Sequence, residues 1–407
     1  MTIQNLSQTE AADRQTPAIS TRIVVLAALA SVGSFATSIL LPSLSSIAKS
    51  LNVSTADVAS AISIYLAVFA VGQLIVGPLS DRYGRWKPVV IGLLIFVAGS
   101  LWCEFATDLP TLLIGRVIQG FGACAASVLS RAIARDLLSG EELTRALAFI
   151  MVAMSAAPGF SPLIGGMLES TFGWRSEFFV VGIFGAIVGL AYWRYVGETH
   201  RPDGKVSIQP IAILKAYAGL LTDTRFLAPA GTIGLFMGAI FAMFSGTPRV
   251  LIDSLGLSPI QLGLFFAGTV FVVFASGMLA PRLAIRIGHT QATIVGIVIA
   301  TVGGTALLAA HWLDHSVWSY LLPVIVFLAG FGMVSPLATA TSLQPFGDRA
   351  GLASALLGFL QMAGAAIGTI MAASIASPTL AVGVVQASLT ILGLLLYLMG
   401  RRSAGAH

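Results

Sequence analysis

The sequence predicts an all-α integral membrane protein, with twelve transmembrane helices arranged as two pseudo-symmetric six-helix bundles. Of its 407 residues, 57% are hydrophobic and only 10% are charged, and the mean hydropathy is +0.92. A soluble domain carries roughly 25% charged residues, so most of this chain cannot face water. A glycine-punctuated turn at 77–85 has an echo 200 positions later, at 277–288, which indicates two related halves.

Apolar runs long enough to cross a membrane define the first bundle, which we predict over residues 23–196 after a cytoplasmic tail at 1–22. One crossing takes about 20 apolar residues. The six spans of this bundle are expected at about 23–42, 58–79, 88–107, 110–134, 144–169 and 176–196.

A polar connector at 197–225 is predicted to be a cytoplasmic central loop. It precedes a second bundle at 226–400 and a short tail at 401–407. Six spans on either side of a hydrophilic loop is the arrangement expected of a duplicated transporter. The second six spans are expected at about 226–248, 259–281, 290–310, 317–340, 350–374 and 379–400.

The placement of lysine and arginine predicts the orientation. With the N-terminus inside, eighteen of the 22 basic residues fall in segments predicted to be cytoplasmic. Three, Lys49, Arg175 and Arg249, fall outside, and Arg116 lies within a span. Because positively charged loops stay on the cytoplasmic side, both termini are expected in the cytoplasm.

Several classes of function find no support in the sequence. The net charge is only +5, and no basic patch with interleaved aromatic residues indicates nucleic-acid binding. None of the five histidines pairs with a glutamate at ligand spacing on one helix, so neither an enzyme, a cofactor nor a metal site is predicted. Cys103 and Cys124 lie in apolar runs, as small buried hydrophobes do. Residues 1–20 lack the apolar core of a cleavable signal peptide.

The turn at 77–85 sets charged residues between two apolar runs, where glycines and Pro78 allow a tight reversal. It resembles the cytoplasmic loop after the second helix of major facilitator superfamily transporters. The resemblance implies a lock on the outward-open state, in which Asp81 accepts hydrogen bonds at the positive N-terminus of the eleventh span. The predicted lock residues are Gly77, Asp81, Arg82, Gly84, Arg85 and, as the neighbouring arginine, Arg131.

Arg116 lies in otherwise apolar surroundings in the fourth span. A guanidinium in hydrocarbon costs at least about 2.5 kcal/mol, so such a residue faces a cavity or a partner. One interpretation is that Arg116 lines the central pathway and senses proton or substrate charge. The other is a structural arginine that donates hydrogen bonds to helix carbonyls.

The fifth span contains two prolines and three glycines, which predict a kinked helix that packs closely and can rock. The pattern resembles the motif of antiporters within the superfamily, and this favours export. The alternative is a simple packing kink. The predicted antiporter-helix residues are Pro158, Gly159, Pro162, Gly165 and Gly166.

Three further stretches resemble the Bcr/CflA-type drug-efflux group, whose members are twelve-span drug:proton antiporters. Residues 245–259 are similar to the connection between its seventh and eighth spans. Residues 351–358, with Gln361, are similar to its eleventh span, and residues 336–339 fit its tenth. The resemblance covers about residues 22–400 and is more specific for fold than for substrate.

Many antiporters of this group carry an aspartate in the first span, before a Leu-Pro pair. Here Leu41 and Pro42 are present, but no acid precedes them. Three explanations stay open: Asp57 or Glu104 couples protons near the outer mouth, Arg116 couples indirectly, or the protein is a facilitator without a coupling ion.

Residues at mid-depth of the inward-facing helices are expected to line a substrate cavity. Aromatic rings and methionine with a few amides suit lipophilic ligands. Arg116, as the one buried charge, favours a neutral or anionic substrate. The predicted cavity residues are Thr37, Ser38, Tyr65, Gln119, Met154, Phe236, Phe241, Phe244, Phe331 and Gln361.

Together these patterns predict an alternating-access transporter that exports small lipophilic drug-like compounds in exchange for protons, and not an enzyme. The alternative is a facilitator or importer of a small metabolite without proton coupling, because the first span lacks an acid. The expected partners are a small-molecule substrate, protons and the lipid bilayer. A monomer is expected, since each chain holds a complete pathway, and the family resemblance implies a bacterial inner membrane.

Overall fold

The computed structural model describes the backbone of residues 3–200, 210–312 and 316–404. Within these ranges, nothing is described for the side chains of Asp81, Gly140, Glu141, Thr144, Arg145, Ala148, Met151, Val152, Ser155, Pro210, Ala212 and residues 3–20, 347–351 and 402–404. The described residues form helices and turns, with no strand among them.

The first half of the chain contains six long helices and one short one, and a 3-10 turn at Leu41–Ser43 links the first two. The helices are α1 (Ile3–Ser38), α2 (Leu44–Leu51), α3 (Thr55–Tyr83), α4 (Trp86–Glu104), α5 (Leu109–Leu137), α6 (Gly140–Phe172) and α7 (Arg175–Tyr195).

The second half again contains six long helices, preceded by a short one. A π-turn at Arg249–Ser254 follows α9, and a 3-10 segment at Gln344–Arg349 precedes α13. The helices are α8 (Pro210–Thr222), α9 (Thr224–Pro248), α10 (Pro259–Ile287), α11 (His289–Ala310), α12 (Val317–Leu343), α13 (Ala350–Ala373) and α14 (Pro378–Ala404).

Eleven helices in the described residues are long and apolar enough to cross a membrane. The remaining long helix, α6, has 33 residues, which at about 1.5 Å per residue is also sufficient. Alternate connections lie on the same face, so we call the face with the turns at 83–86, 137–140 and 287–289 the basic face. The opposite one, with the turns at 104–109, 172–175 and 254–259, is the distal face. The predicted all-α membrane fold is confirmed.

Close helix contacts repeat between the two halves. A Cβ atom on Gly122 of α5 would lie 2.5 Å from the carbonyl oxygen of Gly92 on α4. A Cβ atom on Gly330 of α12 would lie 2.5 Å from that of Gly296 on α11. Only glycine allows backbones to approach so closely. Because these are the third and fourth long helices of each half, the halves repeat the same packing.

Two pairs of helices join the halves, α3 with α13 and α6 with α10. In each pair, the second long helix of one half packs against the fifth long helix of the other half. In the first pair, Gln73 Nε2 donates to the carbonyl oxygen of Gly358 at 3.2 Å. On the distal face, Ser45 Oγ of α2 donates to Asp253 Oδ1 at 2.7 Å. The two halves therefore meet at two seams, with a polar contact inside the α3–α13 seam and another between the halves at the distal face.

The structure adds helices where the sequence analysis expected connectors. Part of the predicted central loop forms α8, because its apolar residues can pack against the bundle. Tyr217 of α8 is buried, and its hydroxyl donates to the carbonyl oxygen of Leu74 at 3.4 Å. The first span ends at Ser38, and residues 41–51 continue along the distal face as a buried turn and α2.

Candidate functional site

Arg116 is fully buried and bonded to two neighbouring helices. Its Nε donates to the carbonyl oxygen of Ala61 on α3 at 3.0 Å, and its Nη1 to that of Ala36 on α1 at 3.2 Å. Its guanidinium carbon lies 4.1 Å from the centre of the Tyr65 ring, a favourable cation–π arrangement. One side chain thus joins α1, α3 and α5.

A chain of polar side chains extends from Arg116 towards α4. Nη1 also donates to Gln119 Oε1, and Gln119 Nε2 donates to Ser100 Oγ at 2.8 Å. Nη2 is buried and has no partner among the described residues. The carbonyl contacts fit the structural interpretation of Arg116, whereas the unpartnered Nη2 is what an anion-sensing group would use.

The two acids that we expected to couple protons lie near the distal ends of their helices. Asp57 is exposed and caps α3: the Ser54 N–H donates to Asp57 Oδ2 at 3.1 Å, and the Asp57 N–H donates to Ser54 Oγ at 3.1 Å. Glu104 is the half-buried last residue of α4. Among the described residues, neither forms a salt bridge with Arg116.

Glu177 is a fully buried acid that the sequence analysis missed. It lies in the first turn of α7 and accepts a hydrogen bond from Ser43 Oγ, in the turn after α1. Glu169 of α6 lies within electrostatic range. Glu177 Oε2 and Glu169 Oε2 are both buried without a partner among the described residues. The acid was overlooked because it follows Arg175 at a span end, where carboxylates are ordinarily solvated.

The α3–α4 turn is fastened within its own half of the chain. Arg85 Nε forms an ion pair with Asp136 Oδ2 at 2.9 Å, and Arg85 Nη1 donates to Ser80 Oγ at 2.6 Å. The backbone N–H groups of Arg85 and Trp86 donate to Glu198 at 2.8 and 3.2 Å, which satisfies free donors at the start of α4. Asp136 and Glu198 belong to this site although the turn pattern does not contain them.

Glu198 is held in its ionised form by the backbone. Partial burial opposes ionisation, but the N–H groups of His200, Arg85, Trp86 and Thr199 outweigh it and lower the pKa of this carboxyl group.

The other predicted lock residues have different surroundings. Gly84 has a φ of 85°, and a Cβ atom there would collide with the Glu198 carboxylate. Arg82 is exposed, with its guanidinium carbon 5.7 Å from the ring centre of the adjacent Tyr83. Arg131 Nη1 contacts Met154 Sδ at 3.3 Å. Nothing surrounds the Cβ position of Gly77 within 4 Å.

The predicted bond between Asp81 and the start of α13 lies outside the described residues. Neither the side chain of Asp81 nor those of residues 347–351 are described. That contact stays a prediction.

The glycines of α6 face helices of both halves. A Cβ atom on Gly159 would collide with the Val270 side chain of α10, and one on Gly166 would lie 2.5 Å from the carbonyl oxygen of Pro259. A Cβ atom on Gly165 would collide with the carbonyl oxygen of Ile39. Pro158 and Pro162 lie inside the helix without ending it.

The residues predicted to line a cavity form separate groups. Thr37, Tyr65 and Gln119 surround Arg116, and both Thr37 Oγ1 and the Tyr65 hydroxyl donate to the carbonyl oxygen of Gly33, at 2.8 and 3.1 Å. Ser38 is buried nearby on α1, and Gln361 is half-buried on α13.

The phenylalanines of the predicted set lie in the second half. The rings of Phe241 and Phe244 are 5.5 Å apart, and Phe331 stacks on Phe327 at 6.3 Å. Phe236 is fully buried within the second half, where a Cβ atom on Gly393 of α14 would lie 2.9 Å from its ring.

A cavity of about 160 Å³ lies away from all these groups. It sits at the distal end of the second half, lined by Leu255, His311, Tyr320 and Pro378 among others. Because it touches neither seam nor Arg116, we do not place the substrate there.

Comparison with known proteins agrees with this architecture. A family model described as Major Facilitator Superfamily matches residues 26–369. An MFS-type transporter of Bacillus subtilis (strain 168), YdgK, is 32% identical over 83% of this chain and 85% of its own length.

Two further relatives carry names that refer to resistance. Multidrug resistance protein D of Escherichia coli (strain K12) is 29% identical over 92% of this chain and 94% of the relative. A bicyclomycin resistance protein homolog of Haemophilus influenzae is 26% identical over 87% of this chain and 88% of the relative.

Among solved structures, the human organic anion transporter MFSD10 superposes with a TM-score of 0.70 at 17% identity. The match covers 93% of this chain and 99% of that one. At this identity the likeness concerns the fold.

Proposed function

The chain belongs to the Major Facilitator Superfamily, and from this premise we propose that it exports small lipophilic drug-like compounds in exchange for protons. It is a multi-pass membrane transporter with relatives of the Bcr/CflA type. The names of those relatives, multidrug and bicyclomycin resistance, support a toxic organic substrate. A superfamily of transporters also leaves no reason to expect an enzyme.

The observation that carries this proposal is the pair of seams between the halves. The α6–α10 seam is glycine-rich and tight towards the distal face, where Gly166 meets Pro259 and Ser45 meets Asp253. Two rigid bundles that tilt about such seams expose the space between them to one side of the membrane at a time. Within that space we place the substrate beside Arg116, Tyr65 and the aromatic residues of α9.

Transport into proteoliposomes with and without an imposed pH gradient tests the exchange. The expected result is that a lipophilic neutral or anionic fluorescent dye moves against its gradient only when protons flow the other way, with protein-free liposomes as the control. Transport that ignores the pH gradient would remove the antiport from the proposal.

A facilitator or importer of a small metabolite is the second candidate function. It is favoured by the absence of an acid before Leu41 and Pro42 and by the buried cation Arg116, which suits a neutral or anionic substrate. Growth of expressing cells on a panel of toxic compounds separates the two. Raised tolerance supports export, whereas raised sensitivity or rescue by a nutrient supports import.

We place the protein in a bacterial inner membrane as a monomer, with the basic face and both termini in the cytoplasm. The excess of lysine and arginine in the basic-face segments supports this orientation, and the bacterial relatives support the membrane. The α3–α4 turn then acts as a cytoplasmic lock, in which Asp81 binds the positive end of α13, Arg131 is the neighbouring arginine and Arg85 anchors the turn to its own bundle.

A further inference from the structure

We propose that Glu177, Glu169 and Ser43 form a proton-binding site that controls the closing of the distal face. This inference rests on the proposed proton-coupled transport and names a group through which protons control one face of the transporter. It starts from an unusual observation: two carboxyl groups from α6 and α7 lie near each other, and each has a buried oxygen without a partner among the described residues.

Complete burial indicates that Glu177 holds a proton in this structure. An ionised carboxylate loses its hydration in such a place, and two carboxylates within electrostatic range disfavour each other's charge. The position of Glu177 in the first turn of α7 favours its negative charge, because the helix dipole is positive there. That effect is smaller than the loss of hydration for a group with no exposed surface.

No cation in the described structure neutralises the pair by an ion pair. Arg175, on the same helix, is engaged elsewhere: its Nη2 donates to the carbonyl oxygen of Ala106 at 2.9 Å, and its guanidinium stacks over Trp174 at 4.2 Å. The other titratable groups at this end are Glu104 on α4, Asp57 capping α3, Asp108 capping α5, Lys49 on α2, Arg249 and Asp253 in the π-turn, and His311 at the end of α11. The described part of α1 has its one charged side chain, Arg22, at the opposite end.

The site is linked to the contact between the halves by two residues of chain. Ser43 donates to Glu177 within the first half, and Ser45 donates to Asp253 of the second half at 2.7 Å. The turn that ends at Ser43 is buried, and so is Ser45 in the first turn of α2. The contact of this turn with Glu177 of α7 therefore determines whether Ser45 can donate a hydrogen bond to Asp253.

The proton step is simple to balance. A proton from water at the distal face forms an O–H bond at Glu177 Oε2, and no other covalent bond changes. Loss of that proton to water leaves a buried, ionised carboxylate at Glu177 with no ion-pair partner among the described residues, which unseats the turn at Ser43 and breaks the Ser45–Asp253 contact. Proton uptake thus closes the distal face, and proton release opens it.

Infrared spectroscopy of the purified protein tests this proton directly. At neutral pH we expect the absorption of a protonated carboxylic acid in the wild type, its loss in Glu177→Gln, and its retention in Glu104→Gln, a half-buried acid at the same face. An absorption that survives Glu177→Gln would overturn the site.

A distance measurement tests the control of the distal face. Spin labels at Lys49→Cys and Ser254→Cys, in protein with Cys103→Ala and Cys124→Ala, report the separation of α2 from the π-turn. The separation should grow as the pH rises in the wild type and stay short at every pH in Glu177→Gln, which mimics the protonated form. An equal pH response in both proteins would contradict the inference.

Transport assays distinguish a failure of this inference from a failure of the proposed function. If a pH gradient drives transport equally in the wild type, Glu177→Gln and Glu169→Gln, the antiport stands and the proton site is wrong. If no gradient drives transport while the distal distance still follows pH through Glu177, the site stands and the antiport is wrong.

Discussion

At the scale of single residues, Arg116 makes three contacts that one lysine side chain cannot make at the same time. Its guanidinium bonds Ala36 and Ala61 through different nitrogens and stacks on Tyr65. A lysine keeps the charge but loses this fork of donors. The two interpretations of Arg116 therefore give different results for the conservative substitution.

We predict that Arg116→Lys lowers the melting temperature in detergent and reduces transport by tenfold or more. Each buried carbonyl left without its donor costs about 1–3 kcal/mol. Arg225→Lys is the matched control, because Arg225 is exposed and its ion pair with Asp223 at 2.8 Å can be kept by lysine. An Arg116→Lys variant with wild-type stability would favour charge sensing over the structural role.

Glu198 gives a prediction for pH. Its folded pKa lies below the ordinary value of a glutamate, so its carboxylate stabilises the fold at neutral pH, and this stabilisation disappears as the pH falls through the folded pKa. The wild type should melt at a higher temperature than Glu198→Gln near neutral pH, and the difference should shrink in acid. Melting curves across a pH series check this, with Glu142→Gln, an exposed acid, as the control. A difference that is constant with pH would count against it.

At the scale of elements, α6 is a helix whose glycines set the distance to α10. Gly159 faces Val270, and Gly263 of α10 faces the backbone of Leu163, where a Cβ atom would lie 2.6 Å from its Cα. The antiporter interpretation of this helix depends on such close contact, because α6 and α10 can then slide along each other without moving apart.

We predict that Gly159→Ala opens the α6–α10 seam and that adding Val270→Ala restores it. Overpacking costs about 1–3 kcal/mol, which corresponds to a shift of roughly 5–150-fold between the two tilts. Transport rates of the single and double variants check this. Gly268→Ala on α10 is the control, because its Cβ position is empty within 4 Å. A failure of Val270→Ala to rescue would show that Gly159 acts through something other than this contact.

The lock element also makes a prediction. Asp81→Asn removes the negative charge proposed to bind the positive end of α13, so the protein should favour the inward-facing state and turn over more slowly. The accessibility of a cytoplasmic-side cysteine label, measured together with transport, checks both. The control is Lys87→Gln, which removes an exposed charge just after the same turn. Unchanged transport in Asp81→Asn would refute the lock.

The elements were predictable because hydropathy reports membrane helices directly, and the repeat of the turn at 77–85 at 277–288 predicted two related halves. The polar partners of Arg85 were not predictable. Asp136 and Glu198 reach Arg85 from helices and connectors 51 and 113 residues away, and no local pattern predicts such pairs. Glu177 was hidden at a span end because burial there depends on how residues 41–43 fold over it.

At the scale of the whole molecule, the central claim is that two bundles tilt about the α3–α13 and α6–α10 seams, with the distal face closed in this structure. The Ser45–Asp253 contact bridges the bundles at that face. If the two bundles must separate at the distal face in every transport cycle, then fixing the Ser45–Asp253 contact stops transport.

The most direct test joins these two positions covalently. In protein with Cys103→Ala and Cys124→Ala, Ser45→Cys and Asp253→Cys are joined by a short cross-linker that a reductant cleaves, and each single-cysteine protein serves as a control. The account predicts that cross-linking stops transport, that reduction restores it, and that the controls keep their activity. A cross-linked protein that transports at the uncross-linked rate would contradict the tilting of the two halves.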